Sequence, residues 1–367
     1  MKKSLLALAI ALVTGDAAYA QSSLIIYGAF DGGVRYQTNQ DAAGHTKLTL
    51  SSIGTYNANR IGFKGVEDLG GGLNAHFNLE SGFNTGTGAL DNSAKLFNRV
   101  ALVGLGSQWG SLDLGRQYTA VFKTIGGYDP FNYKYTNIIP LTGGASAGIR
   151  YDNDLQYTGT FGPITARAEW ALGEQTGSAR NSSAQGVGVS YFNGSINVGA
   201  AYALRKPNVA AAGASANFQE NRTWTLGGAY TFGPARIAGG YQRENQDLVS
   251  GSTQQRNAWF GGSYDFSPAF AVTAAYYDTK VDNISNTGTN GKRQLLIAGT
   301  TYALSKRTNL YADIDYARFR DGLALPVGAA GLPAGNFLAG GSSQLGLASA
   351  AGQSHQTGVS VGINHLF

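Results

Sequence analysis

The chain has no cysteine, one methionine and only eight prolines in 367 residues. Without cysteine there is neither a disulfide framework nor a thiolate metal site, so backbone pairing and packing must hold the fold. Prolines this few and scattered exclude a collagen-like or Pro-rich linker composition. Charge is scarce too: Asp, Glu, Lys and Arg make up 13%, against ~25% in ordinary soluble domains. No apolar run reaches the ~20 residues a spanning helix requires. What is abundant is glycine, with 53 residues, and aromatic side chains, at 11%. Too few charges for a water-facing surface, many aromatics and no spanning helix together point to a β-barrel in lipid.

The N-terminus has its own pattern. Lys2 and Lys3 precede an apolar stretch from Leu5 to Val13, and Ala18-Tyr19-Ala20 supplies small residues where a signal peptidase reads. This predicts a cleaved signal peptide over 1–20 and a mature chain over 21–367. Losing Lys2, Lys3 and Asp16 takes the formal charge from +5 to +4.

Beyond Gln21 the hydrophobic period is two almost everywhere. Trp224, Leu226, Gly228, Tyr230 and Phe232 share one face of a strand, while Thr223, Thr225, Gly227, Ala229 and Thr231 share the other. Aromatics at both ends of the apolar face are expected where a strand crosses two headgroup layers. Sixteen strands are predicted, over 24–37, 56–65, 72–83, 96–105, 109–117, 149–161, 164–174, 184–193, 195–206, 221–232, 235–246, 254–265, 269–282, 292–304, 308–321 and 354–367. Short turns at 67–70, 161–163, 193–194, 232–234, 265–268 and 304–307 alternate with long connections at 38–55, 84–95, 118–148, 175–183, 207–220, 247–253, 283–291 and 322–353. That alternation is the habit of an outer-membrane barrel. Lipid satisfies no open sheet edge, so the last strand must close on the first. Sixteen strands enclose an aqueous lumen.

The segments Ser23–Asp31 (SLIIYGAFD), Asn59–Leu73 (NRIGFKGVEDLGGGL) and Leu96–Leu105 (LFNRVALVGL) resemble the general porins of Gram-negative outer membranes, most of all the β-proteobacterial type. Leu114–Gln117, Arg150–Asn153 and the ending Gly362–Phe367 continue the likeness in order along nearly the whole mature chain. The resemblance implies a homotrimer of sixteen-stranded antiparallel transmembrane barrels in the outer membrane, with the third loop folded inward. It implies that Phe367 is read by the barrel-insertion machinery, and that outer-membrane lipid, lipopolysaccharide and small hydrophilic solutes are the remaining partners. No cofactor or nucleic acid is expected.

Such a channel works through an aperture and an electric field. With the apolar set taken as lipid-facing, Leu24, Ile26, Phe30 and Val34 leave Tyr27, Asp31 and Arg35 in the lumen. Ile61 and Phe63 leave Arg60 and Lys64 inside; Leu73, Ala75, Phe77 and Leu79 leave His76 and Glu80. Val100 and Leu102, read as lipid-facing, put Arg99 inside, and Ile164, Ala166 and Trp170 do the same for Arg167 and Glu169. Strict parity sets Arg116 beside Leu112 and Leu114, where a charge near the bilayer midplane costs roughly 2–4 kcal/mol; the resemblance implies a lumen arginine, hence a bulge. The 118–148 connection, the candidate constriction loop, carries Lys123 and Lys134 but a single acid, Asp129. With Arg35, Arg60, Lys64, Arg99, Arg116 and Arg150 on the wall, an anion-preferring channel is expected. The opposing reading pairs these cations with Asp31, Glu80, Asp113, Asp152 and Asp154 and leaves little field.

Other chemistry finds no support. His45, His76, His355 and His365 do not cluster at ligand spacing, and Asp152-Asn153-Asp154 lacks the glycine and terminal Glu of a calcium loop. His76 and Glu80 lie about 13 Å apart along a strand, too far for a base and its orienting partner. The function expected is a water-filled diffusion channel for small hydrophilic solutes; the alternatives are a channel specific for small organic anions on the same barrel, or a closed adhesin-like barrel.

Overall fold

The computed structural model describes residues 23–50, 55–140, 148–210, 213–284, 288–324 and 352–367. Alternating side chains drive these segments into strands: β1 (Ser23–Gln37), β2 (Lys47–Leu50), β3 (Arg60–Gly70), β4 (Leu73–Gly82), β5 (Val100–Ser107), β6 (Gly110–Tyr118), β7 (Arg150–Phe161), β8 (Ile164–Ala171) and β9 (Ala184–Phe192). They continue as β10 (Ile196–Arg205), β11 (Asn221–Phe232), β12 (Ala235–Asp247), β13 (Ser252–Asp265), β14 (Phe270–Asp282), β15 (Gly291–Ala303), β16 (Thr308–Asp321) and β17 (His355–Leu366). All pair antiparallel with their neighbours. β1 closes the sheet against β17, from Ala29↔Leu366 to Gln37↔Gly358, so the barrel has no open edge. On its other side β1 pairs first with β3 and then with β2, which together make one stave. The result is an all-β closed barrel of sixteen staves.

The sheet faces differ as lipid and lumen demand. On β11 Leu226 is 55% exposed, while the neighbouring Thr225 is 2% exposed. Sequence and structure part at a few points. The connection expected over 38–55 contains β2, whose Lys47–Leu50 alternation is too short to stand out. The strand expected over 56–65 runs instead over Arg60–Gly70, and the turn expected at 67–70 falls at Gly70, Gly71 and Gly72, all with positive φ, because only glycine adopts three such angles in succession without strain. β5 also reverses the expected face: Val103 and Leu105 are outward at 58% exposure each, and Val100 is buried. Arg99 nevertheless points inward because it precedes the strand's first residue, where parity no longer applies.

The 119–140 segment begins as a single-turn helix, α1 (Ala120–Ile125), capped by the Thr119 side chain on the Phe122 amide at 3.2 Å. The sequence shows no helical period there, since one turn is too short to display one. Val121, Ile125, Tyr128, Phe131, Tyr135, Ile138 and Ile139 pack against Trp259, Tyr277, Leu295, Ile297 and Phe319 of the barrel wall. Those wall residues share faces with Thr253 and Thr279, opposite the outward Phe260, Tyr276 and Leu296. An apolar core thus sits on the inner side of β10–β16.

Polar ties lock the segment in place. Arg236 donates to the carbonyls of Gly127 at 3.0 Å and Asp129 at 3.1 Å, Arg293 to that of Ile138 at 2.9 Å, and Trp259 to that of Tyr128 at 3.1 Å. The Tyr128 ring sits against Gly227, where an added Cβ would come within 2.2 Å of it. Gly227→Val should therefore lift Tyr128 from its seat: protease cleavage within 119–140 is expected to accelerate while the strand signal in circular dichroism stays unchanged. Equal cleavage of variant and parent would contradict this seating.

Candidate functional site

Five consecutive parts of the wall, from β3 to β7, converge on one cavity of about 760 Å³. Arg60 opens β3, Arg99 leads into β5, Arg116 comes from β6 and Arg150 opens β7, with Glu80 of β4 among them; Asn132, Tyr133 and Lys134 of the packed segment form another part of the lining. Arg116 leaves the Leu112/Leu114 row through a register shift between Gly115 and Gln117, and Gly115 takes φ +131°. A Cβ on Gly115 would meet the Ala101 carbonyl oxygen at 2.1 Å, so the bulge requires glycine.

Pairing distinguishes these cations. Glu80 accepts from Arg99 at 2.6 Å and lies 3.7 Å from Arg60. Asp152 accepts from Arg116 at 2.6 Å and also meets Lys95. Among the described residues Arg150 and Lys134 have no carboxylate at ion-pair distance. Arg150 instead stacks on the Tyr118 ring at 4.3 Å and donates to its hydroxyl at 2.7 Å, which Arg99 also reaches at 2.7 Å. Tyr118 stacks on Phe122 and Phe122 on Tyr133, with centroids 4.8 and 4.1 Å apart. The rings tie the arginine wall to the packed segment. Lys134 lies 5.1 Å over the Tyr56 ring, and burial, reinforced by Arg60, pushes its ammonium down to about 8.

The other expected site residues lie elsewhere. Arg35 is buried between Asp313 at 3.4 Å and Asp315 at 2.7 Å. Those aspartates come from β16, some 280 residues away, so no local signal announced them. Lys64 sits 5.3 Å over the Tyr27 ring. Lys123 turns to Gln156 of β7 and does not line the cavity. Asp31 is buried and accepts from the Tyr311 hydroxyl at 2.6 Å. Asp129 is fully buried and accepts from Tyr277 and from the Tyr133 amide, each at 2.8 Å; burial pushes its carboxyl up to about 6. The only acid of the 118–148 segment is thus kept away from the cavity.

Sequence reasoning missed the ring stack at Tyr118, Phe122 and Tyr133 and the anchoring arginines Arg236 and Arg293. A catalytic arrangement does not assemble. His76 pairs with Asp113 at 2.7 Å, but Ser111 approaches the other Asp113 oxygen at 3.5 Å rather than the imidazole. Among the described residues no group of three or more His, Cys, Asp or Glu is placed to hold a metal.

Comparison with known proteins agrees with this architecture. Residues 6–322 match the family described as Gram-negative porin. The chain is 33% identical to outer membrane porin protein 32 of Delftia acidovorans, over 100% of both chains. It superposes on an anion-selective porin from Comamonas acidovorans with TM-score 0.74 and 27% identity, covering 95% of this chain and 100% of the other. It shares its fold with the trimer form of OmpT from Vibrio cholerae at TM-score 0.67 and 15% identity, covering 94% and 99%. The chain belongs to the Gram-negative porin family, and it is a general diffusion channel of the outer membrane rather than an enzyme.

Proposed function

We propose that the arginine-lined cavity is the selective part of this channel and that it favours anions. The carrying observation is the imbalance of its lining: Arg60, Arg99, Arg116, Lys134 and Arg150 against Glu80 and Asp91. Even with Asp152 counted against Arg116, Arg150 and Lys134 have no carboxylate at ion-pair distance among the described residues, and Asp31 acts on Lys134 only at longer range. An anion passing them meets two cations held by rings rather than by carboxylates, and a cation meets repulsion with no acidic wall opposite. The anion-selective description of the Comamonas protein supports the same reading.

In this proposal 118–148 is the constriction loop, folded into the lumen and narrowing it. Its apolar contacts along β10–β16 support that, as do its polar ties to Arg236 and Arg293. Residues 141–147 lie outside the described residues, as do the proposed signal peptide, 1–20, and most of the 322–353 connection. The mature domain is 21–367 and the assembly a homotrimer, consistent with the fold shared with trimeric OmpT. Phe367 pairs its backbone with Gly28 and packs its ring 5.4 Å from Phe30. This aromatic end on the closing seam supports the assembly-signal role.

Arg150→Gln should lower the chloride-to-potassium permeability ratio by roughly twofold, the scale of a partly exposed charge, as read from reversal potentials in planar bilayers. Arg35→Gln should alter it far less, since Arg35 is buried against Asp313 and Asp315 and does not line the cavity. Equal effects of the two variants would contradict the assignment.

Lys134 is charged below about pH 8 and neutral above it. The anion preference should therefore decline from pH 7 to pH 9.5. Lys134→Arg should keep it, because guanidinium remains protonated throughout. A flat profile in the unaltered protein would remove Lys134 from the account.

A further inference from the structure

One hydroxyl at the edge of the cavity holds two arginines at once. Tyr118 is the last residue of β6 and the first of the 118–148 connection, so it stands where the wall becomes the packed segment. Pairing places Arg150 of β7 directly opposite it. On the other side the β5–β6 register sets Ala101 against Arg116. Carried two residues further, that register brings Arg99 to the level of Tyr118. The Tyr118 oxygen accepts from Arg99 Nη2 and from Arg150 Nη2, each at 2.7 Å. Its ring is fixed by the Arg150 guanidinium, 4.3 Å from the centroid, and by Phe122, stacked at 4.8 Å.

A phenol hydroxyl has one proton to give and two lone pairs to receive with. The arginines take both lone pairs, so the proton points elsewhere, and among the described residues Tyr118 donates to nothing. Tyr118 lines the cavity, so its remaining donor serves what the cavity holds. The two guanidinium groups are not equally engaged. Arg99 also gives its Nε–H to Glu80 at 2.6 Å. Arg150 has no carboxylate at ion-pair distance among the described residues, and its Nε and Nη1 donate to none of them. Two like charges gathered at one neutral oxygen repel each other, and an anion bridging them relieves that repulsion.

We infer that Tyr118 sets which anions the cavity favours: its hydroxyl gathers Arg99 and Arg150 into one unit and gives its own proton to a solute oxygen. The favoured class is the polyatomic oxyanion, with two or more oxygens on one centre. Such an anion accepts two parallel contacts from the Arg150 fork and keeps a lone pair for the Tyr118 O–H. A halide of the same charge has a single centre and does not match separated donors as well. Arg150 and Lys134 attract any anion; Tyr118 adds the distinction between anions. The inference rests on the anion preference proposed above and goes beyond it, since charge alone does not separate two anions of equal charge.

The test compares formate with chloride, both singly charged, in planar bilayers holding the refolded full-length protein. Potassium chloride faces potassium formate, and the reversal potential gives the formate-to-chloride permeability ratio. The variant is Tyr118→Phe, which keeps the ring and its stacking and removes only the hydroxyl. Its formate-to-chloride ratio should be about threefold below that of the parent, a smaller change than a fully buried hydrogen bond to a charge produces, because the cavity is wet. A role confined to holding the two arginines would weaken both anions together and leave the ratio at the parent value, and that result overturns the inference. The chloride-to-potassium ratio of the parent, read under a potassium chloride gradient, keeps the two readings apart. A parent that prefers potassium removes the anion reading and the inference with it. A chloride-preferring parent whose formate ratio does not depend on the hydroxyl removes the inference alone. Should Tyr118→Phe form no channel, Arg150→Lys decides by the same ratio. Lysine keeps the charge but has no fork to share between the hydroxyl and a solute, so the ratio should again fall, and an unchanged ratio overturns the inference.

Discussion

Hydrocarbon offers a peptide N–H or C=O nothing to bond with, and most of this architecture follows from that constraint. Each stave must find its partners in two neighbours, and the seam between β1 and β17 supplies the last of them. A closed sheet with alternating side chains then has two chemically different surfaces. The outer one carries Leu, Ile, Val, Tyr and Phe. The inner one carries Thr, Asn, Gln and the charged groups. The polarity of the channel is thus a by-product of closure before it is a device for selectivity.

The 119–140 segment is held against the barrel wall by the means of a soluble core. Trp259, Tyr277, Leu295, Ile297 and Phe319 break the rule that inward residues are polar, and they break it where the segment lands. Burial of these side chains sets where the segment lies. Its carbonyls, held by Arg236, Arg293 and Trp259, prevent it from sliding. The edge left free carries Tyr133 and Lys134 toward the arginine wall, while Asp129 is turned into the core beside Tyr277. The packing that anchors the segment therefore also keeps its one carboxylate out of the cavity lining.

The strands were readable because lipid and water impose a period of two on them. Predicted and observed ends of β11 and β16 coincide, and most of the others differ by a residue or two. Errors came where local pattern is silent. β2 is four residues long, Gly70–Gly72 spread one turn over three glycines, and β5 carries apolar residues on both faces near its start. The inner core left a trace that was not used: Trp259-Phe260, Tyr276-Tyr277 and Leu295-Leu296-Ile297 are apolar on consecutive positions, which means both faces of the strand. Charge pairing was the least legible. Arg35 meets its aspartates across the barrel seam and Arg99 meets Glu80 from the next stave, so a list of arginines does not reveal which of them remain uncompensated. Arg150 does, because a ring rather than an acid holds it, and Lys134, over the Tyr56 ring, has only the more distant Asp31.

The central claim is that the lumen carries a net positive field at its narrow part. The zero-current potential of the refolded protein in a planar bilayer, under a potassium chloride gradient, tests it most directly. Ionic strength on the dilute side should stay low, near 0.01 M, where the Debye length is ~30 Å. The account predicts a potential displaced toward the chloride equilibrium value, with the displacement shrinking as salt is raised. A potential displaced toward the potassium value would contradict it and show that the acids of the wall outweigh Arg150 and Lys134.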